Sequence, residues 1–218
     1  MVKARADPAP VGVVAPRLGA VAISMGLAAI LAVRVLLLGR WADGRAVGAA
    51  FGLALVVLWI MAASPDLASG RFVAAIRAPG FGVRTAIAVL FGATFGLALV
   101  ALAVLGPFVH GIWVPPGLGQ PDVSFLGWAS ITILVATAEE GILRGVLFDR
   151  IRATRGAAAA IALTTIAFAL IHVPVYGWHV VPLDLAVGLG FAGLRLSTRS
   201  VLAPVVAHVV ADLATWWL

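Results

Sequence analysis

Residues 137–145 read Thr137-Ala138-Glu139-Glu140-Gly141-Ile142-Leu143-Arg144-Gly145 and interrupt an apolar run that extends from 131 to 148. One ionisable side chain at the centre of a membrane-spanning helix costs about 2.5–3.5 kcal/mol. The two glutamates and the arginine would together cost about 8–10 kcal/mol if they were unpaired. Partners must therefore come from other segments, and the fold must bring those segments to this one.

The composition is that of a membrane protein. Of the 218 residues, 63% are hydrophobic and 11% are charged, whereas a soluble domain carries about 25% charged residues. Apolar runs of near-spanning length recur along the chain. We predict an all-α polytopic transmembrane bundle of about seven helices, within a range of six to eight. Residues 1–17 are predicted to be a flexible N-terminal tail, and 18–218 a single transmembrane domain.

The apolar runs define seven predicted spans, and two of them contain paired glycines. The spans are 18–38, 46–63, 85–105, 125–148, 157–173, 182–196 and 201–218. Longer loops are predicted at 64–84 and 106–120, and Arg34 is expected to snorkel to the interface. Gly48 with Gly52, and Gly92 with Gly96, have the small-xxx-small spacing that lets helix backbones approach closely.

Positive charge predicts the topology. With the N-terminus inside, the inside segments contain eleven Lys and Arg residues and the outside segments contain two, Arg40 and Arg45. This asymmetry favours a cytoplasmic N-terminus. The composition resembles that of GC-rich bacterial proteins and indicates the bacterial cytoplasmic (inner) membrane. No basic soluble domain is present, so nucleic acid is not an expected partner, and the absence of cysteine excludes a cysteine nucleophile and thiolate metal sites.

The acidic stretch separates two roles. Glu140 and Arg144 are four residues apart, so they share a helix face and can pair. Glu139 is rotated by about 100° from that face and is left as a candidate general base. The alternative is structural: an ion pair within one helix, beside a carboxylate that is held by hydrogen bonds.

Two further apolar segments carry polar residues at helical spacing. These segments contain Phe168 with His172, and His208 with Asp212. Counted from the arginine-rich ends, Glu139 and His208 lie about 16 and 14 Å deep, and Asp212 and His172 about 20 and 22 Å deep. Each histidine alone could be a helix-end residue or half of a hydrogen-bonded pair. Ionisable residues that share the interior of a membrane are, however, candidates for function.

Together these residues resemble a known family. The patterns Glu-Glu-x-x-x-Arg, Phe-x-x-x-His and His-x-x-x-Asn/Asp are similar to those of the CPBP intramembrane proteases, which include type II CAAX prenyl endopeptidases and bacteriocin-processing relatives. The resemblance covers about 123–218, and the segment 193–204 also resembles the family's approach to its last motif. Asp212 stands where many relatives have Asn, and an ionised acid cannot donate a hydrogen bond.

The resemblance implies an intramembrane endopeptidase, like the CAAX prenyl endopeptidases, that acts on membrane proteins or peptides in the lipid bilayer. Glu139 and His172 would activate water, and His208 and Asp212 would bind the carbonyl oxygen. Glu140, Arg144 and Phe168 would support the site. His172, His208 and Glu139 could hold zinc. We favour a reaction without metal, because His172 is expected to lie deeper than the other ligands.

Two alternatives of other classes remain: an ion- or proton-coupled transporter, and a non-catalytic membrane scaffold or immunity protein on the same fold. The sequence contains neither a His-Glu-x-x-His zinc motif nor a Gly-x-Ser-x-Gly elbow. It leaves open the substrate, its prenylation, the side of access and the oligomeric state.

Overall fold

A computed structural model describes residues 18–38, 44–68, 77, 80–106 and 124–217. The described residues are almost entirely helical and include no strand. The predicted all-helical fold is therefore confirmed. The predicted N-terminal tail at 1–17, nearly all of the predicted loop at 106–120, and part of the loop at 64–84 lie outside the described residues.

The helices follow one another with short connections. We number them α1 (Ala20–Leu38), α2 (Gly44–Ala68), α3 (Phe81–Leu105), α4 (Phe125–Glu140), α5 (Phe148–Tyr176), α6 (Val181–Thr198) and α7 (Leu202–Ala214). A π-helical segment (Gly141–Leu147) joins α4 to α5, and a 3₁₀ turn (Trp178–Val180) precedes α6.

The continuous helical stretch Phe125–Tyr176 is too long for one crossing. It has 52 residues, which is about 78 Å at 1.5 Å per residue, against a hydrocarbon core of about 30 Å. Gly156 breaks it, with φ 83° and ψ 174°, a conformation that only glycine adopts without strain. The break falls between the predicted fourth and fifth spans. Five helices in the described part are long and apolar enough to cross a membrane, and Leu202–Ala214 is a shorter apolar helix.

Two prolines fall inside helices where a helix end had been predicted. α2 passes through Pro65 to Ala68, and α5 passes through Pro174 to Tyr176. The predicted ends at 63 and 173 are therefore wrong by a few residues. A proline inside a helix removes one backbone hydrogen bond and crowds the carbonyl of residue i−4, and each of these helices ends within three residues of its proline. The end of α5 comes instead at Gly177, whose φ is 90° and whose amide donates to the carbonyl of Val173.

Glycines allow α3 to pack closely along α7. A Cβ on Gly96 would lie 2.8 Å from the carbonyl oxygen of Ala207, and Gly92 faces Ala203 in the same way one turn earlier. The predicted role of this glycine pair in helix packing is confirmed. Since the residue numbers rise together on both helices, α3 and α7 run in parallel.

A second glycine contact joins α2 to α4. A Cβ on Gly52 would lie 3.1 Å from Val135, and Gly48 faces Ile131 one turn before it. These two helices are therefore also parallel. Large apolar side chains on the outer faces of the helices are exposed, as lipid contact requires; they include Val21, Met25, Leu53, Leu90, Leu97 and Leu126.

We expect Gly96→Ala to lower the free energy of unfolding by about 1–3 kcal/mol, because the added methyl group would overlap the backbone of α7. Gly82→Ala is the matched control on the same helix, since no atom lies within 4 Å of its Cβ position. Thermal unfolding in detergent measures both. Equal behaviour of the two variants would contradict the close packing of α3 on α7.

Candidate active site

The acidic stretch departs from an ordinary α-helix directly after its two carboxylates. Residues Gly141–Leu147 form a π-helix, a rare element that is frequent at functional sites. The indole of Trp59 on α2 occupies the space that a Cβ on Gly141 would need. The sequence predicted a regular helix here, and that prediction is wrong for these residues.

The predicted ion pair between Glu140 and Arg144 is confirmed. Nη1 of Arg144 donates to Oε1 of Glu140 at 2.9 Å, and both side chains are completely buried. Nη2 of Arg144 donates to the carbonyl of Gly188 on α6 at 3.1 Å. The guanidinium also lies 4.6 Å from the centre of the Phe168 ring, so Phe168 supports the buried cation as an aromatic face does.

The same carboxylate oxygen also contacts a histidine that the sequence had not linked to it. Nδ1 of His208 lies 3.2 Å from Oε1 of Glu140. Glu140 therefore connects Arg144 of the π-helix to His208 of α7. The 68 residues between the two explain why helical spacing could not find this contact.

His172 presents one ring nitrogen to the site. Its Nδ1 lies 2.8 Å from the carbonyl oxygen of Phe168. A carbonyl only accepts, so Nδ1 carries the hydrogen and Nε2 keeps its lone pair. The ring packs edge-on against Phe168, with centroids 4.7 Å apart, and stacks on Tyr176 at 5.9 Å.

The predicted neighbours His208 and Asp212 do face each other. Nε2 of His208 lies 3.4 Å from Oδ2 of Asp212. The His208 side chain is 5% exposed and that of Asp212 is 42% exposed. Asp212 therefore reaches open space, while the histidine remains in the interior between two carboxylates.

Glu139, His172 and His208 converge, although they come from α4, α5 and α7. One ligand atom from each lies within 4.8 Å of the others. Glu139 is 4% exposed and forms no hydrogen bond with the other described residues. The expected difference in depth therefore does not keep the ligand atom of His172 away from those of Glu139 and His208.

A cavity of about 180 Å³ opens beside these groups. His172, His208 and Asp212 line the cavity. Glu139 is not among the lining residues, but its ligand atom lies within 4.8 Å of those of His172 and His208. The other lining residues are Trp128, Thr132, Phe168, Tyr176, Val180, Leu183, Asp184, Val187, Phe191, Ala211 and Thr215. The cavity has room for several water molecules, each of which occupies about 30 Å³.

Asp184 is a polar lining residue that the sequence did not single out. Its Oδ2 lies 3.7 Å from Nδ1 of His172 and is buried without a hydrogen-bond partner among the described residues. It occupies the first turn of α6, where acids are common because of the helix dipole. That ordinary position hid it from sequence analysis.

The three converging side chains make a chemically suitable donor set for zinc. Catalytic zinc sites commonly use two histidines and one carboxylate, each at about 2.0–2.2 Å from the ion. The atoms of Glu139, His172 and His208 need only small rotations from their present separations. His208 is the least suited of the three, because its nitrogens face the carboxylates of Glu140 and Asp212 and a ligand must offer a lone pair.

Comparison with known protein families gives a match over the part of the chain that carries this site. The family model described as "Type II CAAX prenyl endopeptidase Rce1-like" matches residues 121–214, a segment that contains Glu139, His172 and His208. The match confirms the resemblance to CAAX-type intramembrane proteases over residues 121–214. No curated protein and no solved structure matches the chain.

We expect Glu140→Gln to destabilise the protein by about 3–5 kcal/mol, because it leaves the buried charge of Arg144 without its ionic partner. Glu139→Gln should change the unfolding temperature little, since Glu139 has no such partner. Thermal unfolding of the two variants in detergent separates them. Equal destabilisation by both changes would contradict this division between the neighbouring glutamates.

Proposed function

We propose that the protein is an intramembrane endopeptidase that hydrolyses peptide bonds of membrane-associated proteins or peptides. The observation that carries this proposal is the convergence of Glu139, His172 and His208 beside a cavity within otherwise apolar helices. Three ionisable groups in such a place cost stability and require a reason beyond packing. The match of residues 121–214 to a protease family supports the same function.

Water activation is assigned to Glu139 and His172. Two atoms that both hydrogen-bond one water molecule lie at most about 5 Å apart, and the ligand atoms of Glu139 and His172 lie within 4.8 Å of each other, so one water molecule can contact both. Nε2 of His172 is free to accept from the water because Nδ1 is held by the carbonyl of Phe168. The carboxylate of Glu139 takes the proton as the water oxygen attacks the carbonyl carbon.

Stabilisation of the negative oxygen that forms in this attack is assigned to His208. His208 lines the cavity, and its Nε2 makes only a 3.4 Å contact with Asp212, so an N–H at Nε2 is the proposed donor to the oxyanion. Asp212 then holds the ring rather than donating itself. When the carbon–nitrogen bond breaks, Glu139 returns its proton to the leaving amine, and a carboxylate and an amine are the products.

A metal ion is not needed for these steps. If zinc were bound by His172, His208 and Glu139, it would supply Lewis-acid polarisation of the water and the carbonyl. We favour the reaction without it because His208 lies between two hydrogen-bond acceptors, an arrangement that suits a donor better than a ligand. Glu140 and Arg144 serve as the fixed support of that donor.

The purified chain should cleave members of a peptide library slowly, and cleavage should survive extensive treatment with a strong chelator. Elemental analysis should find a metal content well below one ion per chain. Glu139→Gln is the control and should abolish cleavage while leaving thermal unfolding nearly unchanged.

Three other results would each contradict a metal-independent protease. Stoichiometric zinc, with activity lost on chelation and restored by zinc, would make His172 and His208 metal ligands. Absence of cleavage in wild-type protein that instead carries ion flux in liposomes would replace the protease by the transporter. Absence of both activities would favour a scaffold.

Asp184 is proposed as a positioning residue for His172. Its unpaired Oδ2 lies 3.7 Å from the Nδ1–H of the ring, close enough to attract that hydrogen when the ring turns from the Phe168 carbonyl. A carboxylate behind a catalytic histidine fixes its tautomer and orientation.

We therefore expect Asp184→Asn to lower kcat by about tenfold or more, since positioned acid–base groups contribute about 10²–10⁴-fold, with little change in KM. Asp184→Glu should restore part of kcat. Steady-state kinetics on a peptide substrate measures both constants. An unchanged kcat, or a loss confined to KM, would remove Asp184 from the catalytic arrangement.

The domain organisation and the location of the protein are proposals as well. We propose a single transmembrane domain at 18–218, in a bacterial cytoplasmic membrane, with the N-terminus inside. The apolar outer faces of the helices and the asymmetry of positive charge support this arrangement.

A further inference from the structure

The ends of the helices divide into two chemically different faces. One face holds the exposed arginines Arg84, Arg152, Arg155 and Arg199 together with Arg150 and Arg195. These residues share a face because α3 runs parallel to α7, as the Gly92–Ala203 and Gly96–Ala207 contacts show. Arg195 also pairs with Asp149 at 2.9 Å, which joins the last turn of α6 to the first turn of α5. We call this the arginine face.

The opposite face is aromatic. Phe125 at the start of α4 lies 5.5 Å from Trp216 at the end of α7, and Trp128 lies 5.1 Å from Trp216, measured between ring centres. Trp178, 73% exposed, follows the end of α5. Tryptophan is enriched at membrane interfaces. We call this the aromatic face. The described arginines near it include Arg45, in the first turn of α2, and Arg34, which is half-buried over the Phe51 ring at 4.1 Å.

The cavity is built from the helix ends on the aromatic face. Its polar walls come from the first turns of α4 and α6, through Trp128 and Asp184, and from the last turns of α5 and α7, through Tyr176 and Thr215. Asp212, the most exposed ionisable group of the site, is 42% exposed on this side. Among the described residues, no lining side chain comes from the arginine face.

We infer that the active-site cavity opens to the aromatic face and that this face lies away from the cytoplasm. The positive-inside rule assigns the face rich in Lys and Arg to the cytoplasm, and here that face is opposite to the opening. The substrate class follows, and this part rests on the proposed function. Substrates are segments presented on the non-cytoplasmic side of the membrane, or membrane segments whose scissile bond is nearer that side.

Single cysteines test the direction of opening directly, because the chain contains no cysteine. Thr215→Cys reports the cavity, and Trp178→Cys and His179→Cys report the aromatic face beside it. Ala153→Cys is the matched control on the arginine face, chosen because it is exposed and changes no charge. Intact cells that express each variant are treated with a membrane-impermeant maleimide, before and after permeabilisation.

We expect Thr215→Cys, Trp178→Cys and His179→Cys to be labelled fully in intact cells, and Ala153→Cys only after permeabilisation. Labelling of Ala153→Cys alone in intact cells would reverse the orientation and overturn the inference. Labelling of the two face markers without Thr215→Cys would overturn the opening of the cavity. If Trp178→Cys does not accumulate, His179→Cys gives the same decision.

A second experiment tests whether substrates reach the active site through the opening of the cavity. Modification of Thr215→Cys with a bulky maleimide should abolish peptide cleavage by the purified protein, whereas modification of Ala153→Cys should leave it unchanged. The labelling pattern does not depend on activity, so a wrong orientation and a wrong function give different results. Cleavage that survives full modification of Thr215→Cys would show that substrates reach the site by another path.

Discussion

The site depends on one buried carboxylate oxygen. Oε1 of Glu140 receives Nη1 of Arg144 at 2.9 Å and lies 3.2 Å from Nδ1 of His208. Removing a charge from water into the membrane interior is costly, so the arginine, the carboxylate and the histidine stabilise one another or none is stable there. The same contacts tie the π-helix to α7, and Arg144 extends them to the backbone of α6 at Gly188. The polar network that makes burial tolerable thus also fixes the geometry of the candidate site.

In that network Glu139 has no ionic partner among the described residues. Glu140 pairs with Arg144. The rotation of about 100° between successive helical residues directs the carboxylate of Glu139 to the two histidines instead. Phe168 serves both parts, because its ring lies against Arg144 and its carbonyl holds His172. Such sharing keeps the number of polar groups in the membrane small, which limits the cost of desolvation. It also means that the supporting and reacting residues cannot vary independently.

Sequence reasoning reached the parts of the site that follow from local spacing. Glu140 with Arg144 and His208 with Asp212 are four residues apart, and helical geometry predicts both contacts. The contact between Glu140 and His208 was out of reach because it depends on how α4 and α7 cross. The π-helix was missed because it forms where Trp59 packs on Gly141, a tertiary cause. Asp184 was missed because one acid in a first helical turn is unremarkable by pattern alone. The end predicted before Pro174 was early by a few residues, because α5 continues to Tyr176 before Gly177 ends it.

The first three helices contain none of the proposed catalytic residues, and the family match begins after them, at 121. Their contacts nevertheless act on the site. Gly92 and Gly96 of α3 set the distance to α7, which carries His208 and Asp212, and Trp59 of α2 lies against the turn that follows Glu139 and Glu140. Gly52 of α2 fixes α4 in the same way against Leu134 and Val135. A shift of one helix by about 1 Å is enough to spoil catalytic geometry. The family-matched segment therefore contains the proposed reacting groups, and the preceding helices supply the packing that holds these groups together.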